Sequence, residues 1–310
     1  MPTAYHIPVL CDEATNILVT HPGWTYVDGT LGGGGHAERI CEALSSEGRL
    51  VAFDWDGDAI VFGSQRLARF GARVVLVQAN FRAIGGEIRR LGIERVGGVL
   101  LDLGVSSFQL DEGARGFSYR GEGQLDMRMD RRQPFSALDV VNGYSEQSLA
   151  DILFRFGEER QARRVARAIV AERPVTTTTG LRRSVERAVG SRFVLKSLTR
   201  VFQALRIEVN HELDNLAAVL VDALELLLPG GRLVVISYHS LEDRIVKEFF
   251  KRESATTIPS GHKLVPDAVR TPSIRVLTPR PREAAPNEVV ANPRARSAKL
   301  RAAEKLPWLD

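Results

Sequence analysis

The run Tyr26-Val27-Asp28-Gly29-Thr30-Leu31-Gly32-Gly33-Gly34-Gly35-His36 joins an apolar segment, an acid and a glycine cluster to the start of a helical pattern. Glycines placed directly after a buried strand and before a helix let the backbone turn tightly and bring a ligand close to the helix N-terminus. Two chemistries compete for such a loop. The spacing Gly32-x-Gly34-x-x-Ala37, with Asp54 some distance beyond to hold a ribose, satisfies a dinucleotide fingerprint and would suit an NAD-dependent oxidoreductase. Asp28 stands at the strand end just before the glycines. An acid there favours a cationic ligand group, such as the ammonium of S-adenosylmethionine, over a pyrophosphate.

Three further positions belong to the same pattern. Asp54 ends the second strand and is the expected acceptor for a ribose diol with either cofactor. Asn80-Phe81 ends the third strand and could lay an aromatic face against adenine. Asp102 ends the fourth. Each acid alone could be a helix cap or loop residue, but a polar residue at each of four strand ends makes a binding rim, because ligands of open α/β sheets bind at the carboxyl edge. From the residues alone the cofactor is a nucleotide type, with S-adenosylmethionine ahead of NAD.

The elements that must position these residues follow from periodicity. Strands are predicted at Thr25–Asp28, Arg49–Asp54, Val74–Gln78 and Val96–Leu103, with helices at His36–Leu44, Ala59–Phe70 and Ala83–Leu91 between them. Strands alternating with helices at this spacing indicate βαβ units and a parallel sheet covered on both faces. From Gln109 to Ile207 no strand is evident. Gly113–Arg132 is glycine- and charge-rich without a period and reads as a long loop, followed by helices near Glu146–Phe156, Glu159–Glu172, Leu181–Val189 and Leu198–Arg206. The α/β pattern then resumes. A helix at His211–Leu228 is stopped by Pro229-Gly230-Gly231, a buried strand at Arg232–Tyr238 follows, and Leu241–Arg252 is another helix. An edge strand near Ser273–Leu277 and a basic tail, Arg294–Lys305, close the chain. The expected organisation is a Rossmann-like α/β domain in two parts, residues 1–108 and 208–310, with an all-helical insertion at 109–207.

Composition narrows the class. With 44% apolar and 26% charged residues among 310, the chain is an ordinary folded protein. Cys11 and Cys41 form no C-x-x-C pair, which disfavours zinc sites and disulfide frameworks and fits a reducing compartment. Met1–Leu18 has neither a basic n-region nor a long apolar run, and Leu216–Leu228 is interrupted by Asp222 and Glu225. The expectation is a cytoplasmic protein without a membrane span or metal. Net charge is only +4, but its placement is uneven. Residues 113–206 hold 18 Lys and Arg against 10 Asp and Glu, while the rest holds 24 against 28. Arg160, Arg163, Arg164 and Arg167 share one side of a predicted helix whose other side carries Val165, Ala166, Ile169 and Val170. A lone basic helix face is ordinarily just solvated. The asymmetry between the insertion and the remainder points further, to a module that binds a polyanion.

Longer strings resemble a known family. His6-Ile7-Pro8-Val9-Leu10, Asp28-Gly29-Thr30 with Gly33-Gly34-Gly35-His36, and Leu101-Asp102-Leu103-Gly104-Val105-Ser106-Ser107 are similar to those of the RsmH (MraW) methyltransferases. So are Asp111 with Gly116-Phe117-Ser118, Asp126-Met127-Arg128-Met129 and Phe202-Gln203-Ala204-Leu205-Arg206-Ile207. Ser237-Tyr238-His239-Ser240-Leu241-Glu242-Asp243-Arg244 and Asn292-Pro293-Arg294-Ala295-Arg296-Ser297 complete a resemblance that covers nearly the whole chain. It implies a class I fold with an inserted helical domain, S-adenosylmethionine as cofactor, and N4-methylation of one cytidine in the decoding region of 16S ribosomal RNA, within the small ribosomal subunit. Carried over by position, it implies cofactor contacts from Gly33, Gly34, Gly35, His36, Asp54, Phe81, Asp102 and Gln109. The stretch Leu31–Gly34 is richer in glycine than the family pattern.

Chemistry at cytosine N4 demands orientation more than activation, because the amine lone pair is delocalised into the ring and must be aligned with the methyl donor. Asp102 is the first candidate to accept from the amino group, with Ser106, Ser107 and His239 behind it. The Asp/Asn-Pro-Pro-aromatic loop of many amino-methyltransferases is missing; that place reads Asp102-Leu103-Gly104-Val105-Ser106-Ser107-Phe108. Methylation at cytosine C5 would need a cysteine nucleophile, and neither Cys11 nor Cys41 lies in an evident catalytic loop. A non-catalytic RNA-binding or ribosome-assembly factor with a retained cofactor site is the alternative outside enzymes.

Overall fold

The computed structural model describes residues 8–258, 260–262 and 266–307, with every side chain among them except that of Ser107. His6 and Ile7 of the first resembling string lie outside the described residues. The chain divides into two compact units, residues 105–214 in one and residues 8–104 with 215–307 in the other.

In the larger unit, β1 (Thr25–Asp28), β2 (Arg49–Asp54), β3 (Val74–Gln78), β4 (Val96–Asp102) and β5 (Leu227–Ser237) run parallel, in the order β3-β2-β1-β4-β5. The strands are near-continuous apolar runs because both faces are covered. Successive residues alternate between the two cores. Val99 and Leu101 of β4 face one layer with α4 (Ile84–Arg90), α11 (Glu212–Leu226) and α12 (Ser240–Glu253), whereas Leu100 faces the other with α1 (Cys11–Leu18), α2 (Gly35–Ala43) and α3 (Gly57–Leu67). The chain winds one way through β1, β2 and β3 and the other way through β4 and β5. That reversal puts the topological switch point, where such sheets open a crevice, between β1 and β4.

Two expectations fail at the end of this sheet. Pro229-Gly230-Gly231 does not separate helix from strand: α11 ends at Leu226 and β5 already contains the tripeptide. Gly230 takes φ of 78°, and the register to β4 jumps from Val96↔Leu227 to Gly98↔Arg232, so the breaker residues form a bulge inside a strand. The supposed basic tail is no tail. Lys299–Lys305 forms a strand, here β9, antiparallel to β5 on one side and to β8 (Ile274–Val276) on the other. Arg301 is buried and clasps Asp243 through Nε at 2.7 Å, and Lys305 is only 7% exposed. The charges masked a strand buried on both faces. A short pair, β6 (Thr257–Ile258) with β7 (Ala268–Val269), and α13 (Pro286–Ala291) complete this unit.

The other unit is helical: α5 (Ser107–Asp111), α6 (Ala137–Gly143), α7 (Glu146–Gly157), α8 (Ala162–Ala171), α9 (Thr178–Val189) and α10 (Val194–Asn210), with one isolated bridge, Gln124 to Thr177. Ser145 and Thr177 cap α7 and α9 by accepting from the amides of Ser148 and Gly180. Helix α8 shows the predicted division. Ala162, Val165, Ala166 and Ile169 are buried, and Arg163, Arg164 and Arg167 are exposed; Arg160 precedes the helix. The loop at 113–132 lacks a period because side chains rather than a ladder hold it. Arg115, 1% exposed, donates to the carbonyls of Arg128 and Met129, while Asn210 accepts from the Met129 amide and donates to the Met127 carbonyl.

Candidate cofactor site

The carboxyl ends of β1, β2, β3 and β4 converge because their registers align: Asp28 sits beside Ala52 and Leu100, and Asp54 beside Gln78. Beyond β1 the glycine run turns into α2. Gly32 and Gly34 have φ of 48° and 72°, left-handed values that L side chains adopt at a cost. Gly35 meets a different demand, since a Cβ there would lie 2.8 Å from Cγ of Pro8. The loop is also pinned from outside, by Arg66 Nη1 donating to the Gly33 carbonyl at 2.7 Å while its Nε donates to Glu38 at 2.9 Å.

Two linked groups of side chains meet the loop. In the first, Asp54 accepts from the Gly32 amide at 2.7 Å and the Asp56 amide at 2.9 Å, so β2 and the glycine turn are joined through one carboxylate. The next residue, Trp55, lies nearly parallel to Phe81, with ring centroids 6.5 Å apart and planes 18° from parallel. In the second, Asp28 is fully buried, its Oδ1 accepting from the Thr30 amide at 3.0 Å and its Oδ2 with no partner among the described residues. Thr30 Oγ1 in turn accepts from the Asp102 amide at 2.7 Å. Asp102 Oδ1 accepts from the Tyr238 hydroxyl at 2.8 Å, and its Oδ2 lies 3.3 Å from His36 Nε2, a charge contact not aligned as a hydrogen bond.

Burial sets the electrostatics. It raises the Asp28 carboxyl from 3.8 to about 6, against the opposing pull of His36 and the Thr30 amide. It lifts Asp54 to about 6 as well, partly offset by the two amides it accepts from. For His36, burial opposes the charged ring, but Asp102 and Cys11 outweigh it and raise the group to about 10. Burial and the Asp102 charge push Tyr238 well above its usual value, so its hydroxyl stays protonated and donates.

Of the sequence-predicted residues, Gly33, Gly34, Gly35, His36, Asp54, Phe81 and Asp102 all belong to this rim. Gln109 belongs to the helical unit, where it closes a capping box with Ser106 at the start of α5. Ser106 is thereby a helix cap, the Ser107 side chain lies outside the described residues, and His239 caps α12, its Nδ1 accepting from the Glu242 amide at 3.4 Å. Sequence reasoning missed Thr30, Trp55, Arg66 and Tyr238. The strand-end rule that picked Asp54 and Asp102 also reaches Trp55 and Tyr238, each one residue past a strand. Cys11 stands at the start of α1, where its Sγ lies 4.0 Å from the Gly35 carbonyl and helps raise His36. Cys41 is buried in the core, which pushes its thiol up to about 12.

The rim suits a cationic nucleoside better than a pyrophosphate. Asp28 is buried with one unsatisfied oxygen, Asp54 and Asp102 are half-buried, and Trp55, next to Asp54 in the chain, lies nearly parallel to Phe81. Comparison with known proteins decides the matter. The description of the MraW methylase family matches residues 3–306. The chain belongs to the MraW methylase family. Members of this family depend on S-adenosylmethionine, and NAD chemistry falls away. A ribosomal RNA small subunit methyltransferase H from Carboxydothermus hydrogenoformans is 48% identical over 98% of both chains. One of the same name from Bradyrhizobium diazoefficiens is 49% identical, over 98% of this chain and 93% of its own. Among solved structures, an rRNA methylase from Streptococcus thermophilus covers 96% of this chain and 93% of its own at a TM-score of 0.42 and 12% identity, too loose a likeness to bear on the chemistry.

Proposed function

We propose that this MraW methylase transfers a methyl group to N4 of a cytidine in the decoding region of 16S ribosomal RNA, within the small ribosomal subunit and in the cytoplasm. The observation that carries the reading is the Asp28–Thr30–Asp102 chain at the switch point, with Tyr238 and His36 fixing both oxygens of Asp102. The names of the relatives support the substrate class. Among the described residues no helix is long and apolar enough to cross a membrane.

Bound S-adenosylmethionine supplies an electrophilic methyl group on sulfur. Asp54 is placed to hold the ribose hydroxyls, Trp55 and Phe81 to flank the adenine, and Gly33, Gly34, Gly35 and Asp28 to receive the charged end. Asp102 accepts from the target amine, which favours the pyramidal nitrogen needed for in-line transfer. The tyrosine donor and the charged His36 keep that carboxylate in one orientation. Arg163, Arg164 and Arg167 grip RNA phosphates, and the target base leaves its stack to reach the rim. No covalent enzyme–base bond is needed at N4. The test is a Cys11→Ala/Cys41→Ala double variant, checked for folding and cofactor binding. Retained transfer with N4-methylcytidine as product supports the reading; lost transfer, or label at C5, overturns it.

A further inference from the structure

The larger unit carries a second concavity that the methyl-transfer reading does not use. It lies at the opposite edge of the sheet, around the amino ends of β4 and β5 and the last residue of β9. Its volume is about 460 Å³, inside the ~300–1,000 Å³ range of small-molecule sites. Leu224 of α11 and Phe249 of α12 supply an apolar floor, both largely buried. Arg89, Arg95, Arg252 and Lys305 bring four cationic groups to the walls.

Two carboxylates share the lining and pair with two of these cations, which leaves the lining net positive. Glu253 is already engaged, accepting from Arg252 Nε at 2.8 Å and from Arg270, and these guanidinium groups hold its carboxyl below the usual range despite burial. Glu225 is largely exposed and reaches Arg89 Nη2 only at 3.6 Å. Lys305 is only 7% exposed, and burial together with the Arg95 charge lowers its pKa. An anion entering the cavity would add to the favourable charge that Glu253 and Glu225 already supply to this lysine. Guanidinium forks match phosphate oxygens, and the apolar floor adds a surface for a flat ring.

We propose that this cavity binds a nucleotide through its phosphate, with Arg89, Arg95, Arg252 and Lys305 around the anion and Leu224 and Phe249 under the nucleoside. The nucleotide belongs to an RNA chain or is free in solution. The site is separate from the cofactor rim and does not depend on which base is methylated.

The test is calorimetric titration of the full-length protein, saturated with S-adenosylhomocysteine, using uridine 5′-monophosphate, uridine, and a 5′-phosphorylated oligouridylate. The monophosphate binds, and uridine binds at least about tenfold more weakly, as expected for charge-assisted phosphate contacts. Arg89→Gln/Arg252→Gln reduces monophosphate affinity by about tenfold or more and leaves S-adenosylhomocysteine affinity unchanged. Lys305→Met, confirmed folded by its thermal transition, does the same. An oligonucleotide held at least tenfold tighter than the monophosphate, through the same cations, identifies an RNA nucleotide; equal affinities identify a free one. The proposal is overturned if the monophosphate does not bind at millimolar concentration, or if both variants bind it as the parent does.

Discussion

The rim of the sheet and the basic face of α8 present their functional residues in opposite ways. Asp28, His36 and Tyr238 are largely withdrawn from water and tied to one another through Thr30 and Asp102; burial raises the pKa of Asp28 and Tyr238, and Asp102 raises that of His36 against it. Arg163, Arg164 and Arg167 stand in solvent, and Arg167 pairs with Glu146 at 3.4 Å in an exposed contact. A buried network fixes geometry to fractions of an ångström, which in-line chemistry requires. Solvated arginines supply long-range attraction and adapt to a flexible polyanion. The contrast predicts that single changes are severe at the rim and mild on the helix, where only combined changes are felt.

The largest effect is expected at Asp102. Asp102→Asn removes the fixed acceptor and is expected to slow methyl transfer by about 100-fold or more, with much of the cofactor affinity retained. Rates and cofactor titrations on the same preparation separate the two, and an unimpaired rate would place the acceptor elsewhere. The combined Arg163→Gln/Arg164→Gln/Arg167→Gln variant comes next. RNA affinity falls and the slope of log affinity against log salt flattens by about two units, while cofactor affinity is unchanged; an unaltered slope would remove this face from the RNA interface.

Gly35→Ala tests how tightly the glycine loop is packed. Its Cβ would press on Pro8, and such overpacking costs about 1–3 kcal/mol, read as a lower thermal midpoint in the apoprotein. The smallest effect is on pH. Asp28 and Asp54 have folded values of about 6 against 3.8, so between about pH 4 and 6 the folded chain holds protons that the unfolded chain has released. The apoprotein therefore loses stability as pH rises across that window, and cofactor affinity gains as the carboxylates ionise. Opposite trends in denaturation and in cofactor titration check the sign; parallel trends would contradict it.

The sheet was legible because parallel strands buried on both faces leave unbroken apolar runs, and because the acids that end β2 and β4 interrupt those runs at the edge where ligands bind. Where charge or breaker residues lie inside an element, the pattern misleads. Arg301 and Lys305 made β9 resemble a tail, and Pro229-Gly230-Gly231 made a bulge resemble a boundary. The loop held by Arg115 and Asn210 has no period at all, since its order comes from side chain to backbone bonds between residues distant in sequence. Thr30 and Tyr238 were hidden for the same reason: what each does depends on Asp102, 72 residues from one and 136 from the other.

Methyl transfer from radiolabelled S-adenosylmethionine to small ribosomal subunits that lack the modification, followed by nucleoside analysis, tests the central claim most directly. The account predicts label in N4-methylcytidine, abolished or strongly reduced in Asp102→Asn. Cofactor binding with no transfer to subunits or to naked 16S RNA, or label in any other nucleoside, would contradict it.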